Sequence, residues 1–230
     1  MSHDQIDNHL KSWDDVFARR AWGRYPPEEL VRFMGRRFGP VEDKSATKVL
    51  EIGCGPGANL WFLAREGFAV SGIDGSPTAI HQARERLQAE GFVAPGREPD
   101  LRVGNFAALP WPDGRFDAVI DIEGISTNQS DVIQASLAEA RRVLKPGGVF
   151  FAKMFGTETT GYDAGAEFEP GTIRQPKDGP CAGQDLAHFF GEAELRERLA
   201  TFTNLQIDSV RRSDQDGHWI VQEWLVSATK

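Results

Sequence analysis

The sequence predicts an α/β fold: five parallel strands in an open, doubly wound sheet with helices on both faces, completed by a C-terminal antiparallel hairpin to make seven strands. Three observations carry this. Short apolar runs alternate with helix-period segments from residue 46 onward, glycine- and proline-rich turns separate them, and the last two strand-like runs are joined by a short polar segment instead of a helix. Crossovers between parallel strands are right-handed almost without exception, so a ligand site is expected along the strands' carboxyl ends.

Each element has its own signal. Pro26-Pro27 precedes a helix over Glu28 to Phe38, and Lys48 to Ile52 is a short buried strand. Ala58 to Arg65 carries Leu60, Trp61, Leu63 and Ala64 at helical spacing, with Gly67 placed to end that helix in a left-handed residue. Phe68 to Ile73 is the second strand; Ser76 caps the next helix, Pro77 to Gln88, with Pro77 at its first position and Ile80, Ala83 and Leu87 as its buried stripe. Leu101 to Val103 reads as a third strand, and Phe116 to Ile120, after the turn Pro112-Asp113-Gly114, as a fourth. A helix through Val132, Leu137, Ala140 and Val143 stops at the turn Lys145-Pro146-Gly147-Gly148, and Val149 to Ala152 is the fifth strand. Gly156 to Gly183 holds six glycines and three prolines with no clear period and is expected to be a long loop, a lid beside the site. A helix over Glu192 to Ala200 follows, and Leu205 to Arg211 with His218 to Val226 forms the hairpin.

Composition narrows the function. With 230 residues, 40% of them hydrophobic, and 15 Phe and 6 Trp, the chain can bury a sizeable core, and one domain over residues 1–230 is expected. A net charge of -8 without a dense Lys/Arg run argues against nucleic acid as a partner. No apolar run reaches the roughly 18 residues a bilayer span needs, and residues 1–20 are too charged for a secretory signal, so a cytoplasmic protein acting on a small molecule is expected. Cys54 and Cys181 offer neither metal spacing nor a disulfide framework. Asp121 with Glu123 lacks further ligands, and no metal is expected. Oligomeric state is not legible.

The densest signal is Val49-Leu50-Glu51-Ile52-Gly53-Cys54-Gly55-Pro56-Gly57, a buried strand running into an acidic, glycine-rich turn. Gly53, Gly55 and Gly57 let the backbone approach a ligand where a Cβ would collide, and the helix that follows points free N–H groups at it. The same turn fits a dinucleotide fingerprint, so a nicotinamide-dependent oxidoreductase is an alternative, as is a non-catalytic binding module. Glu51 favours a cofactor with an ammonium group, because a carboxylate there would repel a pyrophosphate.

Together with Phe116-Asp-Ala-Val-Ile-Asp121 and Arg142-Val-Leu-Lys-Pro-Gly-Gly148, this nonamer resembles the motifs of the class I S-adenosylmethionine-dependent methyltransferases, over about Val49 to Phe155. The resemblance implies a Rossmann-like fold, S-adenosylmethionine as cofactor, and a core over residues 46–155 covered by an N-terminal helical cap (1–45), a lid loop (156–190) and a C-terminal helix and hairpin (191–230). It implies cofactor contacts from Glu51, Gly53, Cys54, Gly55 and Gly57, from Asp74 toward the ribose hydroxyls with Gly75 and Ser76 beside it, and from Asp121 and Ile122. Asn105 stands where the family often has an adenine-binding acid, and Phe106 can cover the ring or fill the core. Glu123, Trp22 and Tyr25 are expected to face the substrate, and His188, in Ala187-His188-Phe189-Phe190, is the candidate base. The expected reaction is methyl transfer to an oxygen or nitrogen of a small molecule. Asp121-Ile122-Glu123-Gly124 lacks the Pro-Pro-aromatic tetrapeptide of amino-directed DNA methyltransferases.

Overall fold

The computed structural model describes residues 12–20, 22–93 and 98–230. In chain order its elements are α1 (residues 12–19), α2 (Glu28–Phe38), β1 (Lys48–Ile52), α3 (Ala58–Arg65), β2 (Ala69–Asp74), α4 (Pro77–Ala89), β3 (Asp100–Val103), β4 (Phe116–Ile122), α5 (Ser130–Val143) and β5 (Leu144–Phe155). After these come β6 (Ala166–Glu169), β7 (Thr172–Arg174), β8 (Leu186–His188), α6 (Glu192–Arg198), β9 (Thr203–Asp214) and β10 (Trp219–Thr229). Part of the expected N-terminal cap, residues 1–11, lies outside the described residues.

Strands of the main sheet lie in the order β3-β2-β1-β4-β5-β10-β9. The first five are parallel, and β10 runs antiparallel to both neighbours. The chain therefore moves outward from β1 to β3, then returns to lay β4 on β1's other side. That reversal opens a crevice beyond the carboxyl ends of β1 and β4.

Alternation along the strands sends side chains to two separate cores. Leu50, Ile52, Val119, Phe150, Ala152 and Met154 pack toward α5 and α6 with Leu137, Ala140 and Leu195. Val49, Ala118, Ile120, Val149 and Phe151 face α2, α3 and α4 through Leu30, Met34, Leu60, Leu63 and Ile80. Leu60 and Leu63 are fully buried, and burying each is worth about 1.5–3 kcal/mol. Ser76 caps α4 by accepting from the Ala79 amide at 3.0 Å.

The structure corrects the expected boundaries in two places. β5 starts at Leu144, ahead of the expected turn: Leu144 pairs with Phe116 and Val149 with Ala118, so Lys145–Gly148 is a bulge within one strand, with Gly147 at φ 76° taking up the bend. The segment expected as an unstructured lid is built. It contains the antiparallel sheet β6-β7-β8, turned at Pro170-Gly171, and its own buried cluster of Ile173, Cys181, Ala187 and Phe189 against Phe155 and Val221. Backbone bonds tie it to the main sheet, from Thr160 N to Ile220 O at 2.8 Å and from Phe190 N to Phe155 O at 2.8 Å. Strands this short show too little alternation to read from sequence.

Gly57, at the start of α3, has φ 80°, and a Cβ there would sit 3.0 Å from the Ala83 Cβ. Gly57→Ala is expected to lower stability by about 1–2 kcal/mol, the cost of a left-handed residue, read from urea denaturation. Gly35 lies inside α2 with open space where its Cβ would go, so Gly35→Ala is expected to raise stability by about 0.5–1 kcal/mol in the same assay.

Candidate functional site

At the end of β1 the chain turns through Gly53, Gly55 and Gly57, all at positive φ. Gly53 passes so close to Gly124, beyond β4, that a Cβ on it would lie 2.9 Å from the Gly124 Cα. Two bonds fix the turn to β2: Cys54 N donates to Ile73 O at 3.1 Å, and Gly55 N donates to Asp74 Oδ2 at 2.9 Å. Above this floor is a cavity of about 280 Å³.

The cavity's floor is acidic. Glu51 is 1% exposed, and Asn59 Nδ2 donates to its Oε1 at 2.6 Å. Its other oxygen, Oε2, is buried with no hydrogen-bond partner among the described residues. Burial first, then the nearby Asp121 and Asp74, push the Glu51 carboxyl well above the usual carboxylate range, against the Asn59 bond. Asp74 accepts from both Gly55 N and Ser76 N, at 2.9 Å each, yet burial still raises it. A cation placed among these acids would relieve both.

Sequence-predicted residues divide into three groups. Glu51, Gly53, Cys54, Gly55, Asp74, Gly75, Phe106, Ile122, Glu123, Trp22 and Tyr25 all line the cavity. Gly57, Ser76, Asn105 and Asp121 do not: Asn105 Oδ1 is taken by the Ala107 amide at 2.8 Å, Ser76 caps α4, and Asp121 is fully buried under the Gly124 loop, accepting from Ile125 N at 2.9 Å. They shape the turns from beneath. His188 does not line the cavity either. It is fully buried, with Nδ1 2.7 Å from Thr172 Oγ1 and Nε2 2.9 Å from Glu194 Oε1, fastening β8 to β7 and α6. Its aromatic neighbours in sequence are packing partners, Phe190 among them.

Two aromatic and charged walls complete the cavity. Trp13 and Phe17 of α1 each meet Trp22 edge to face and lie tilted against one another. Asp14 Oδ1 holds α1 in place, accepting from Ser76 Oγ at 2.5 Å and Thr78 N at 2.9 Å at the start of α4. Across the site stand Gln184 and Pro180 from the built insert, Asn128, and Arg212 and Glu223 from the hairpin. Sequence reasoning missed these. One signal was available, Lys153 in the otherwise apolar Phe150-Phe151-Ala152-Lys153-Met154-Phe155, because a buried lysine demands acidic partners. Among the described residues, no group of three or more His, Cys, Asp or Glu is placed to hold a metal, and no helix is long and apolar enough to cross a membrane.

Burial pushes the Asp121 carboxyl up to about 8, with Glu123 adding to it. A raised native pKa means that the stability this group contributes is full below the unfolded value near 4 and is lost as pH rises to about 8. Asp121→Asn keeps an acceptor for Ile125 N and does not titrate. Its urea midpoint is expected to gain on that of the parent chain from pH 5 to pH 8.5; a gap that stays constant refutes the assignment.

Comparison with known proteins agrees with this geometry. Residues 49–148 match the profile of the family described as "Methyltransferase domain". The chain is 30% identical over 154 residues to the fatty-acid O-methyltransferase of Mycolicibacterium smegmatis, covering 61% of this chain and 53% of that protein. It thus spans about half the length of that curated relative. Among solved structures, a SAM-dependent methyltransferase from Methanosarcina mazei superposes with a TM-score of 0.68 at 22% identity, covering 90% of this chain and 98% of that one. The 1,6-didemethyltoxoflavin-N1-methyltransferase of Burkholderia thailandensis, solved with bound 1,6-didemethyltoxoflavin and S-adenosylhomocysteine, has a TM-score of 0.62 at 19% identity, covering 99% of this chain and 85% of that one. The profile match thus covers the glycine turn and the strands around it, and the fold is the one that these methyltransferase structures share.

Proposed function

We propose that this chain transfers a methyl group from S-adenosylmethionine to an oxygen or nitrogen of a small molecule. The observation that carries the reading is the unpartnered Oε2 of Glu51, buried at the foot of the cavity. A buried carboxylate oxygen without a donor is costly, and a ligand ammonium supplies the donor. The residues present fit the cofactor. Glu51 and the Gly53–Gly55 turn would hold its amino-acid end, Asp74 its ribose, and Phe106 with Ile122 its adenine. The same acid disfavours a dinucleotide, whose pyrophosphate would meet Glu51 in the turn.

When bound, S-adenosylmethionine supplies a methyl group already activated by its sulfonium. The chain's part is to position. Holding the acceptor in line is worth about 7–11 kcal/mol, and the aromatic cover from α1 with the wall from the insert keeps water from the reacting atoms. The acceptor's place is the end of the cavity formed by Glu123, Asn128, Gln184 and Arg212. Relatives whose names specify a fatty acid or 1,6-didemethyltoxoflavin as acceptor support the small-molecule class.

Calorimetry with S-adenosylhomocysteine tests the reading. Glu51→Gln is expected to weaken binding about 10- to 100-fold, the loss of one charged hydrogen bond of about 1.5–3 kcal/mol. Because burial raises the Glu51 pKa, a proton competes with the ammonium. Affinity is therefore expected to rise with pH until Glu51 is ionised, and Glu51→Gln is expected to lose that slope. Binding of NADH in place of the homocysteine compound refutes the proposal.

A further inference from the structure

Glu123 follows β4 with φ 65°, a left-handed backbone state that residues with a side chain seldom hold, and such strain gathers where a side chain has to be aimed. Here the carboxyl is aimed into the cavity. The Glu123 amide donates to Lys153 O at 2.9 Å, and Lys153 Nζ stands 3.1 Å from Glu123 Oε1 and 2.8 Å from Glu223 Oε1. Arg212 closes the set at 2.5 Å from Glu223 Oε2. Lys153 and Glu223 are 6% and 1% exposed, whereas the Glu123 side chain keeps 33% of its surface open. A charged set this deep adds little stability over apolar packing. One member alone combines a strained backbone with a free face on the cavity.

The geometry points to Glu123 as the proton acceptor for an acidic hydroxyl, phenolic or enolic and carried on a flat ring, which is the group methylated. This rests on the methyl-transfer reading above and deepens it. With Glu123 ionised, the four groups hold two carboxylates and two cations, and Asp214 stands at the outer edge, 3.4 Å from Arg212. Taking a proton makes the wall one charge more positive as the acceptor oxygen turns negative, so the wall stabilises the oxyanion. A neutral amine attacks through its lone pair and needs no proton removed first, so a proton acceptor at this place serves a hydroxyl better. The atoms balance: the acceptor O–H bond breaks, its proton passes to Glu123 and then to water, the oxygen's electron pair forms the O–CH3 bond, and the S–CH3 bonding pair returns to sulfur in the neutral thioether.

The charged and titratable groups around Glu123 come from every neighbouring element: Asp121 on β4, Lys153 on β5, Glu223 on β10, Arg212 on β9 and Cys181 in the insert. Burial, with Glu223 added, outweighs Lys153 and holds the carboxyl at about 7. A base there takes a proton from a phenol, near 10, far more readily than from a hydroxyl as weak as water's, near 15.7. Trp22 and Phe155 wall the same cavity, which suits a flat ring.

The test uses the full chain, Glu123→Gln and Glu123→Asp. Carbon-13 NMR of the labelled glutamate carboxyls is expected to show one group titrating near pH 7 that is missing from Glu123→Gln, with S-adenosylhomocysteine affinity unchanged within about threefold. On a labelled-methyl panel of phenols, enols, amines and alkanols, phenols or enols are the expected acceptors. Their kcat is expected to fall about 100- to 10,000-fold in Glu123→Gln and to recover in part in Glu123→Asp. If Glu123→Gln does not fold, the parent chain decides: kcat/KM on the accepted phenol must rise through a pKa near 7. Full turnover in Glu123→Gln, no such rise, or methylation confined to amines or alkanols or absent from the panel overturns the proposal while S-adenosylhomocysteine binding keeps the methyl-transfer reading standing. A parent chain that does not bind S-adenosylhomocysteine removes both.

Discussion

The near-contact of two backbones, Gly53 after β1 and Gly124 after β4, is the constraint on which the rest depends. The strand order reverses between these two strands, and the chain leaving each must diverge over the same crevice. With no Cβ between them, the loops touch low at the rim, and the space above stays free for a ligand. Gly53→Ala would fill that contact at an unfavourable φ, so the geometry of the floor and the composition of the turn are one requirement.

From that point the rim sorts its charges by strand. On the β2 and β1 side stand Asp74 and Glu51, with Asp121 beneath, carboxyls whose burial favours an incoming cation. On the β5, β10 and β9 side, Lys153, Glu223 and Arg212 balance Glu123. Three strand spacings separate β1 from β10, about 14 Å, so one cavity meets two electrostatic environments. An ammonium group suits the first, and a group that sheds a proton suits the second. Directionality along the cavity is thus built from which strand ends in which residue.

Much of this is legible in the sequence. The parallel strands, the hairpin, and Glu51, Gly53, Gly55, Asp74, Phe106 and Ile122 on the cavity follow from local patterns whose physics is local: buried runs, capping residues and turns that need glycine. Asn105 and Asp121 were recognised by position, but their oxygens face loop amides, a choice made by the loop's fold after the strand and invisible in spacing. Lys153, Arg212 and Glu223 come together only because β10 inserts between β5 and β9, with Glu223 opposite Phe155. His188 misled because an isolated histidine among aromatics carries the same local signature whether it faces a ligand or, as here, Thr172 and Glu194.

The two sides of the cavity are held by different kinds of bond. The insert over residues 156–190 is joined to β10 and β5 by backbone pairing and by a core of its own, whereas the described part of the N-terminal cover meets α4 through side chains, Asp14 to Ser76 and Thr78, and Gln82 to Phe17 O at 3.1 Å. Of these, the helical cover is the looser and the insert the anvil. Among the described residues, displacing α1 would break side-chain bonds and ring contacts, whereas displacing the insert would also break backbone pairing to β5 and β10.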